Sequence, residues 1–486
     1  MKNNKYRLFR TAAAAVLAVS AAVPAAAADM KKAEMPATAA QTVQAALESP
    51  AKQVNFSNML LADKLPVVEG QPEAETISID LRGAVATAIE NNRDIRISEY
   101  SLTEAEAAVS EAAAAKNPSL GYTFTGSRGR SAGVNSSGQK AVVAESYNNG
   151  VNVTWPLWTG GRVEGLISAA RYQKDAAEEA VYLAEAETKL NATSAYYQYL
   201  EAINLEDVSR ESVENLSSHL TNVQQQYDAG IVAKLDVLSS NVSLANAKQA
   251  YITAKNAKDI AEANLNNIMR IPMSTKLVPT DTNFPEPEFS ITMDQALAVA
   301  DSNRWEILQA KYAYMAAKAQ ERVAKSGYLP TISVSGGYNW TDDDFPGFEH
   351  DGWNVSGGLS WSLWDGGATD AQIKSANAAV KAAEEMLAQT RESVELEVRQ
   401  DYLNILSAKE KIRATEAAVA EAEEAYKIAT VRYKSGVGIN LDVLDAQYNL
   451  NSARTNYITA MYDYNVGLAT LEKALGIPAV IRDEKK

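Results

Sequence analysis

Asp442 and Asp445 stand three residues apart in the run Leu441-Asp442-Val443-Leu444-Asp445, a spacing that puts both carboxylates on one face of a helix. The chemistry such a pair can do is electrostatic: it concentrates cations and binds divalent metal weakly. A matching Leu235-Asp236-Val237-Leu238 lies 206 residues earlier. Each aspartate follows a glycine, Gly230 or Gly436, that can stop one helix and let the next begin. The competing role of Asp236 and Asp442 is therefore to cap the new helix or favour its N-terminal dipole. Groups for bond-making chemistry are scarce. The chain has no cysteine, hence neither disulfides nor thiolate chemistry. Its two histidines are far apart: His219 reads as a solvated helix residue and His350 as a loop residue. No phosphate-cradling glycine loop or nucleophile elbow occurs. The expectation is a protein that is not an enzyme and has no cofactor or bound metal.

The elements that carry these carboxylates come twice. Pro118-Ser119-Leu120 recurs as Pro330-Thr331-Ile332, 212 residues on. Trp155-Pro156-Leu157-Trp158-Thr159-Gly160-Gly161 recurs as Trp361-Ser362-Leu363-Trp364-Asp365-Gly366-Gly367, 206 residues on, and that offset holds without a gap through Ile271-Pro272 and Ile477-Pro478. Fixed spacing over such a stretch means two structurally equivalent halves. The six-residue difference falls between paired strands, where a loop absorbs it at small cost.

Residues 1–28 have the three parts of a secretory signal: basic Lys2, Lys5, Arg7 and Arg10, a mild apolar core and a small-residue cleavage site at Ala26-Ala27-Ala28. Cleavage there removes four positive charges and takes the formal charge from −15 to −19. That acidity argues against nucleic acid as a partner. Residues 29–75 read as a flexible extension with one short helix near Thr38 to Glu48, a spacer or a partner-binding arm. Repeat 1 then occupies 76–272, a linker 273–290, repeat 2 291–478 and a tail 479–486.

Helices dominate both repeats. Each opens with a proline-free, alanine- and glutamate-rich helix, Leu81 to Lys116 and about Met293 to Ser326. Each continues with a 67-residue helix, 162–228 and 368–434, able to reach about 100 Å, and ends with a further helix, 236–270 and 442–475. In the second long helix Ile373, Val380, Leu387 and Val394 lie seven apart; the series jumps four and resumes as Val398, Ile405, Ile412, Val419, Tyr426 and Tyr433. That pattern predicts helices packed side by side with an adjusted supercoil.

Between these helices lie four segments of alternating polarity, at about 118–127, 147–158, 330–341 and 351–363. One face carries residues such as Val151, Val153, Trp155 and Leu157, the other Asn152 and Thr154. Alternation over about ten residues is the pattern of a lipid-crossing barrel strand. Five of the seven tryptophans, Trp155, Trp158, Trp340, Trp361 and Trp364, fall near the strand ends, where an aromatic girdle would meet outer-membrane lipid. Four strands cannot close a barrel, and open edges are not tolerated in hydrocarbon. The chain must share its barrel with copies of itself: two would give eight strands, three twelve.

These features together resemble a TolC-type outer-membrane efflux protein over Ile77 to Pro478. The resemblance rests on Asn117-Pro118-Ser119-Leu120 and Tyr328-Leu329-Pro330-Thr331-Ile332, on the duplicated Leu-Trp-x-Gly-Gly turns, and on Tyr227, Gly230 and Asp236-Val237-Leu238 with Tyr433, Gly436 and Asp442-Val443-Leu444. It implies an α+β, mainly α fold: a homotrimer with a shared 12-stranded transmembrane barrel in the cell outer membrane, four strands per chain, and a helical tunnel in the periplasm. It also implies a periplasmic gate at Asp442 and Asp445, acidic rings at a closed tip, latched through Tyr433 and Asp236. The family's latch arginine is missing, since Gly438 stands in its place; Lys234 or Lys434 is a conceivable substitute, and Tyr433 could equally be an ordinary core residue. A periplasmic adaptor would dock on the turns, Gly230, Ile231 and Val232 with Gly436, Val437 and Gly438.

The implied function is a passive exit duct of a tripartite efflux pump or type I secretion system. It would conduct drugs, toxic solutes or polypeptides handed on by an adaptor and an inner-membrane transporter of RND or ABC type. The rival is a structural tether between outer membrane and cell wall, gripping through residues 29–75; a surface adhesin fits the duplicated strand–helix order poorly.

Overall fold

The computed structural model describes residues 76–130, 143–281 and 283–479. The expected signal peptide, the extension 29–75 and nearly all of the tail lie outside the described residues. In the first repeat the elements are β1 (Thr76–Ile79), α1 (Leu81–Asn91), α2 (Arg93–Ala114), β2 (Ser119–Arg130), β3 (Val143–Trp158), α3 (Arg162–Asp228), α4 (Lys234–Met269) and β4 (Lys276–Pro279). The second repeat follows with α5 (Met293–Asn303), α6 (Trp305–Lys325), a 3₁₀ turn (Ser326–Tyr328), β5 (Thr331–Asp342), β6 (His350–Ser360), α7 (Ala368–Lys434) and α8 (Asn440–Ala474). They form two compact bodies: a β body of Pro118–Leu157 and Ile332–Leu359, and a helical body built from the other described elements.

Within the helical body the seven-residue series on α7 is its buried face. Val394, Val398, Ile405, Ile412 and Tyr433 are buried, and the other members are half-buried. The two repeats build the same core twice. Ala84, Ala88, Ala192, Tyr199, Leu265 and Met269 pack together in the first. Ala296, Ala300, Val398, Ile405, Leu471 and Leu475 do so at the equivalent places in the second. Both long helices begin on a Gly-Gly pair in which each residue is left-handed, φ 65° and 84° at Gly160 and Gly161, 71° and 89° at Gly366 and Gly367. Two successive residues there strongly favour glycine, which explains the duplicated motif.

Two features differ from the sequence reading. The helix expected from Leu81 to Lys116 is broken at Asn92, and its counterpart at Arg304; both residues are extended, with ψ 133° and 123°. Neither break carries a proline, so composition gave no sign of it. Each is pinned to the end of a later helix, Asn91 Nδ2 donating to Met269 O (3.2 Å) and Arg304 Nη1 to Lys473 O (2.7 Å), satisfying carbonyls that a helix C-terminus leaves open. Second, β4 lies inside the expected linker and pairs in parallel with β1, from Thr76↔Lys276 to Ile79↔Pro279. Two four-residue strands this far apart in sequence leave no local signature.

The β body is one four-stranded sheet in the order β2-β3-β5-β6, with β2 and β3 antiparallel from Ser119↔Thr154 to Arg130↔Val143. One face exposes Leu120, Tyr122, Val153, Trp155, Trp353, Val355 and Leu359. The other is polar: Ser335 and Ser356 hydroxyls meet at 2.8 Å, and a side chain at Gly150 or Gly337 would run into Asn339 or Asn152. The turn after β5 folds back, Phe345 lying edge-on to Tyr147 (5.7 Å between centroids) while Asn149 Nδ2 donates to Pro346 O (2.8 Å). The last strand ends at Ser360, earlier than the expected 363, so Trp361 and Trp364 follow it in the segment before α7. Trp361 Nε1 there donates to Tyr328 O (3.0 Å). His350 opens β6, where a loop was expected.

Candidate functional site

The two hairpins, α3–α4 and α7–α8, reverse by the same device. Gly230 and Gly436 have φ 74° and 76°. Around them Gly230 N and Ile231 N donate to Tyr227 O and Gln226 O (2.9 and 2.8 Å), and Gly436 N and Val437 N to Tyr433 O and Arg432 O (both 3.0 Å). This pair of bonds closes the helix end around a left-handed residue. A Cβ at either glycine would meet nothing within 4 Å, so backbone conformation alone selects glycine there. Gly438 differs: a Cβ would lie 3.0 Å from Tyr433 N and 3.2 Å from the Arg432 carbonyl carbon. A side chain at 438 would therefore require the second turn to shift by a few tenths of an ångström.

Asp236 and Asp442 each occupy the first turn of the helix that follows, and neither α4 nor α8 has a side-chain N-cap. Of the two structural roles, favouring the helix dipole is the one their positions allow. Asp442 and Asp445 are both exposed, one turn apart on α8, while Asp236 is half-buried. No group of three or more His, Asp or Glu able to hold a metal occurs among the described residues. Ile231 and Val437 are exposed (70% and 68%), and Val232 is half-buried against the cluster of Val223, Val237, Tyr433 and Val443.

Tyr433 is buried in a small cluster with Val223, Val237 and Val443. Its hydroxyl has no hydrogen-bond partner. Burial raises its pKa, and the nearby Asp236 carboxylate adds to the rise. Asp236 and Tyr433 are therefore brought together, but without a hydrogen bond between their side chains. The ties across the junction come instead from His219 and from Asn440, Ser239 and Ser240, which the sequence pattern does not mark. Asn440, at the start of α8, uses all its hydrogen-bonding capacity. Its Oδ1 faces His219 Nε2 of α3 at 2.7 Å and accepts from Ser240 Oγ at 3.1 Å. Its Nδ2 donates to Asp236 O and Ser239 Oγ, both at 3.2 Å. His219 is 5% exposed and its ring meets Tyr433 edge-on at 4.9 Å, so the solvated role expected for it is wrong. Burial lowers the histidine's pKa, against the opposing pull of the Asn440 hydrogen bond and with a smaller push from the Lys434 ammonium. The signal that could have found the pair is broken symmetry: 206 residues away, His219 corresponds to Ala425 and Asn440 to Lys234.

Beyond this hub the α3–α8 seam between repeats carries further polar ties beside the apolar packing of Tyr462 and Val466. Asn451 Nδ2 donates to Ser212 Oγ (2.7 Å), Arg454 bridges Glu211 and Glu423 (2.7 Å each), Thr459 donates to Glu201 (3.0 Å) and Lys189 pairs with Glu472.

A sheet with an exposed apolar face and, among the described residues, unpaired outer strands, joined in one chain to two long helical hairpins, is the architecture of a membrane-inserting protein. Comparison with known proteins agrees. The outer membrane efflux protein family matches residues 84–269 and 296–477, and the chain belongs to that family. It is 25% identical over 407 residues to Outer membrane protein TolC of Escherichia coli K12, covering 79% of this chain and 80% of TolC. It is 26% identical over 409 residues to Outer membrane protein OprJ of Pseudomonas aeruginosa, covering 82% and 84%. The solved outer-membrane channel OprN shares the fold with a TM-score of 0.74 at 22% identity, over 82% of this chain and 89% of OprN. The protein is thus an outer-membrane efflux channel with two structural repeats and a mainly helical fold.

Proposed function

We propose that three copies of the chain close a shared 12-stranded barrel and that this trimer is the exit duct of a tripartite export machine. The observation that carries the reading is the sheet β2-β3-β5-β6, whose outer strands have no further partner among the described residues and whose exposed face is apolar. In hydrocarbon both edges must be paired, and copies of the same sheet can pair them. Twelve strands leave an aqueous lumen, which the Asn and Ser face of the sheet would line. Trp155, Trp158, Trp340, Trp361 and Trp364 would sit at the lipid interfaces.

The duct needs no reaction of its own. Energy would come from an inner-membrane transporter of RND or ABC type, and a periplasmic adaptor would dock on the hairpin turns, where Ile231 and Val437 offer apolar contact. Asp442 and Asp445, exposed on one face of α8, would form paired acidic rings at the entrance and select for positive charge. Efflux of small toxic solutes is the leading cargo, given the family; a type I secretion role shares the same duct.

The test is reconstitution of the purified full chain in planar bilayers, with subunit number read by light scattering. A trimer passing discrete single-channel currents is expected, and Asp442→Asn with Asp445→Asn should weaken block by multivalent cations severalfold. A non-conducting single subunit would refute the duct and leave the tether reading; unchanged block would remove the acidic rings.

A further inference from the structure

Tyr462 and Val466 of α8 pack against the first repeat's core, but the polar ties of the α3–α8 seam are partly exposed ion pairs and hydrogen bonds that each contribute little. Its last tie, at the hairpin tips, is different. Asn440 and His219 are both buried, and every donor and acceptor of the Asn440 side chain is engaged. Because an amide oxygen only accepts, His219 must present an N–H at Nε2, and burial favours the neutral tautomer that carries it.

We propose that the His219–Asn440 tie is a proton-releasable clasp that holds the α7–α8 hairpin against α3–α4 at neutral pH and lets it swing away in acid. This rests on the gate reading above and names the regulation of that same site: the clasped tip is the closed entrance.

The groups around the ring set the sign. From α7 it faces Tyr433, with Lys434 behind; from α8, Asn440; from α4, Ser240 and Asp236, whose backbone carbonyl binds Asn440 and whose carboxylate bears on Tyr433. On α3 the neighbouring turns carry uncharged Asn215 and Val223. Burial, the largest influence, outweighs the Asn440 hydrogen bond, which favours the imidazolium; with Lys434 adding to burial, the clasped ring's pKa stays below the ordinary 6.5 that a water-exposed ring would regain on opening. Above that value both states are neutral and the clasp is at full strength. As pH falls through it, only the open state takes the proton, so the balance moves toward opening until the clasped ring also titrates.

The experiment uses the full chain in planar bilayers between about pH 7.5 and about pH 5.5, the range histidine spans. Conductance of the wild type should rise severalfold on acidification. His219→Gln, whose amide can donate to Asn440 but cannot titrate, should stay low at both values, and Asn440→Leu should stay high at both. The rise should persist when Asp442→Asn and Asp445→Asn are combined, which separates it from titration of the acidic face. Because the chain has no native cysteine, spin labels at Ala229→Cys and Ser435→Cys read the hairpin separation directly. That distance should lengthen in acid for the wild-type background and remain fixed with His219→Gln. Pores that conduct without pH dependence, or a His219→Gln protein that keeps the acid rise, would overturn the clasp while leaving the duct intact. Absence of any current would refute the duct, and an unchanged spin–spin distance would then also dispose of the clasp.

Discussion

The two repeats solve the same structural problems with different chemistry. At the break between α1 and α2, Asn92 caps the new helix locally, its side chain accepting from Asp94 N and Ile95 N at 2.6 and 3.1 Å. At the equivalent break between α5 and α6 the chain has Arg304, 1% exposed, whose guanidinium reaches Glu397 Oε2 at 2.7 Å and lies 2.6 Å from Glu306 Oε2. Lys473 and Asp401 complete that cluster. Their counterparts 206 residues earlier, Asn191 for Glu397, Ala195 for Asp401 and Asn267 for Lys473, are all uncharged. The hairpin tips diverge likewise: Tyr227 is 38% exposed and its counterpart Tyr433 only 3%. Backbone geometry has been kept in both halves, while the polar partners at the helix break and at the hairpin tip differ between them. A neutral cap can be lost with modest effect, whereas a buried charge network couples several helices and makes them sensitive to protonation.

The widest gap between the halves should appear on removing the two break residues. Arg304→Ala leaves Glu306 and Glu397 without their buried cation and should cost about 3 kcal/mol, the lower end for a broken buried pair because both carboxylates are partly exposed. Asn92→Ala loses only a cap, about 1 kcal/mol. Thermal melting followed by circular dichroism compares them, and equal losses would erase the distinction.

A smaller effect tests protonation. Asp401 is pushed up to about 6, first by burial and then by Glu397, against the pull of Arg304 and Lys473. A carboxyl raised on folding destabilises the native state as pH rises from its ordinary range to about 6, and the loss is constant above that. Asp401→Asn should therefore stabilise by on the order of 1 kcal/mol at neutral pH, discounting for partial exposure, and give no gain near pH 4. Melting temperatures across that range decide it; a gain that is the same at both ends would mean packing and not charge.

The least change is expected at the tips. Tyr433 has a buried hydroxyl without a partner, so Tyr433→Phe should be neutral or stabilising by up to about 1 kcal/mol, and Tyr227→Phe should do nothing measurable. A clear loss in Tyr433→Phe would show that its hydroxyl is bonded in the assembled protein.

Much of this architecture could be read from residue spacing. Freedom from proline and a seven-residue apolar series specify long packed helices, paired glycines specify reversals, and alternation of Val, Trp and Leu with Asn and Thr specifies strands with one apolar face. Those are local patterns with fixed periods. The duplicated Asp-Val-Leu segments likewise marked the hairpin tips before any coordinates. The breaks at Asn92 and Arg304, the β1–β4 pairing and the His219–Asn440 tie were decided only by tertiary structure. Each joins residues about 170 to 220 positions apart, and each concerns which polar groups are removed from water together. Periodicity tells which face of a helix is buried; it does not tell which neighbour from another helix will satisfy a buried histidine.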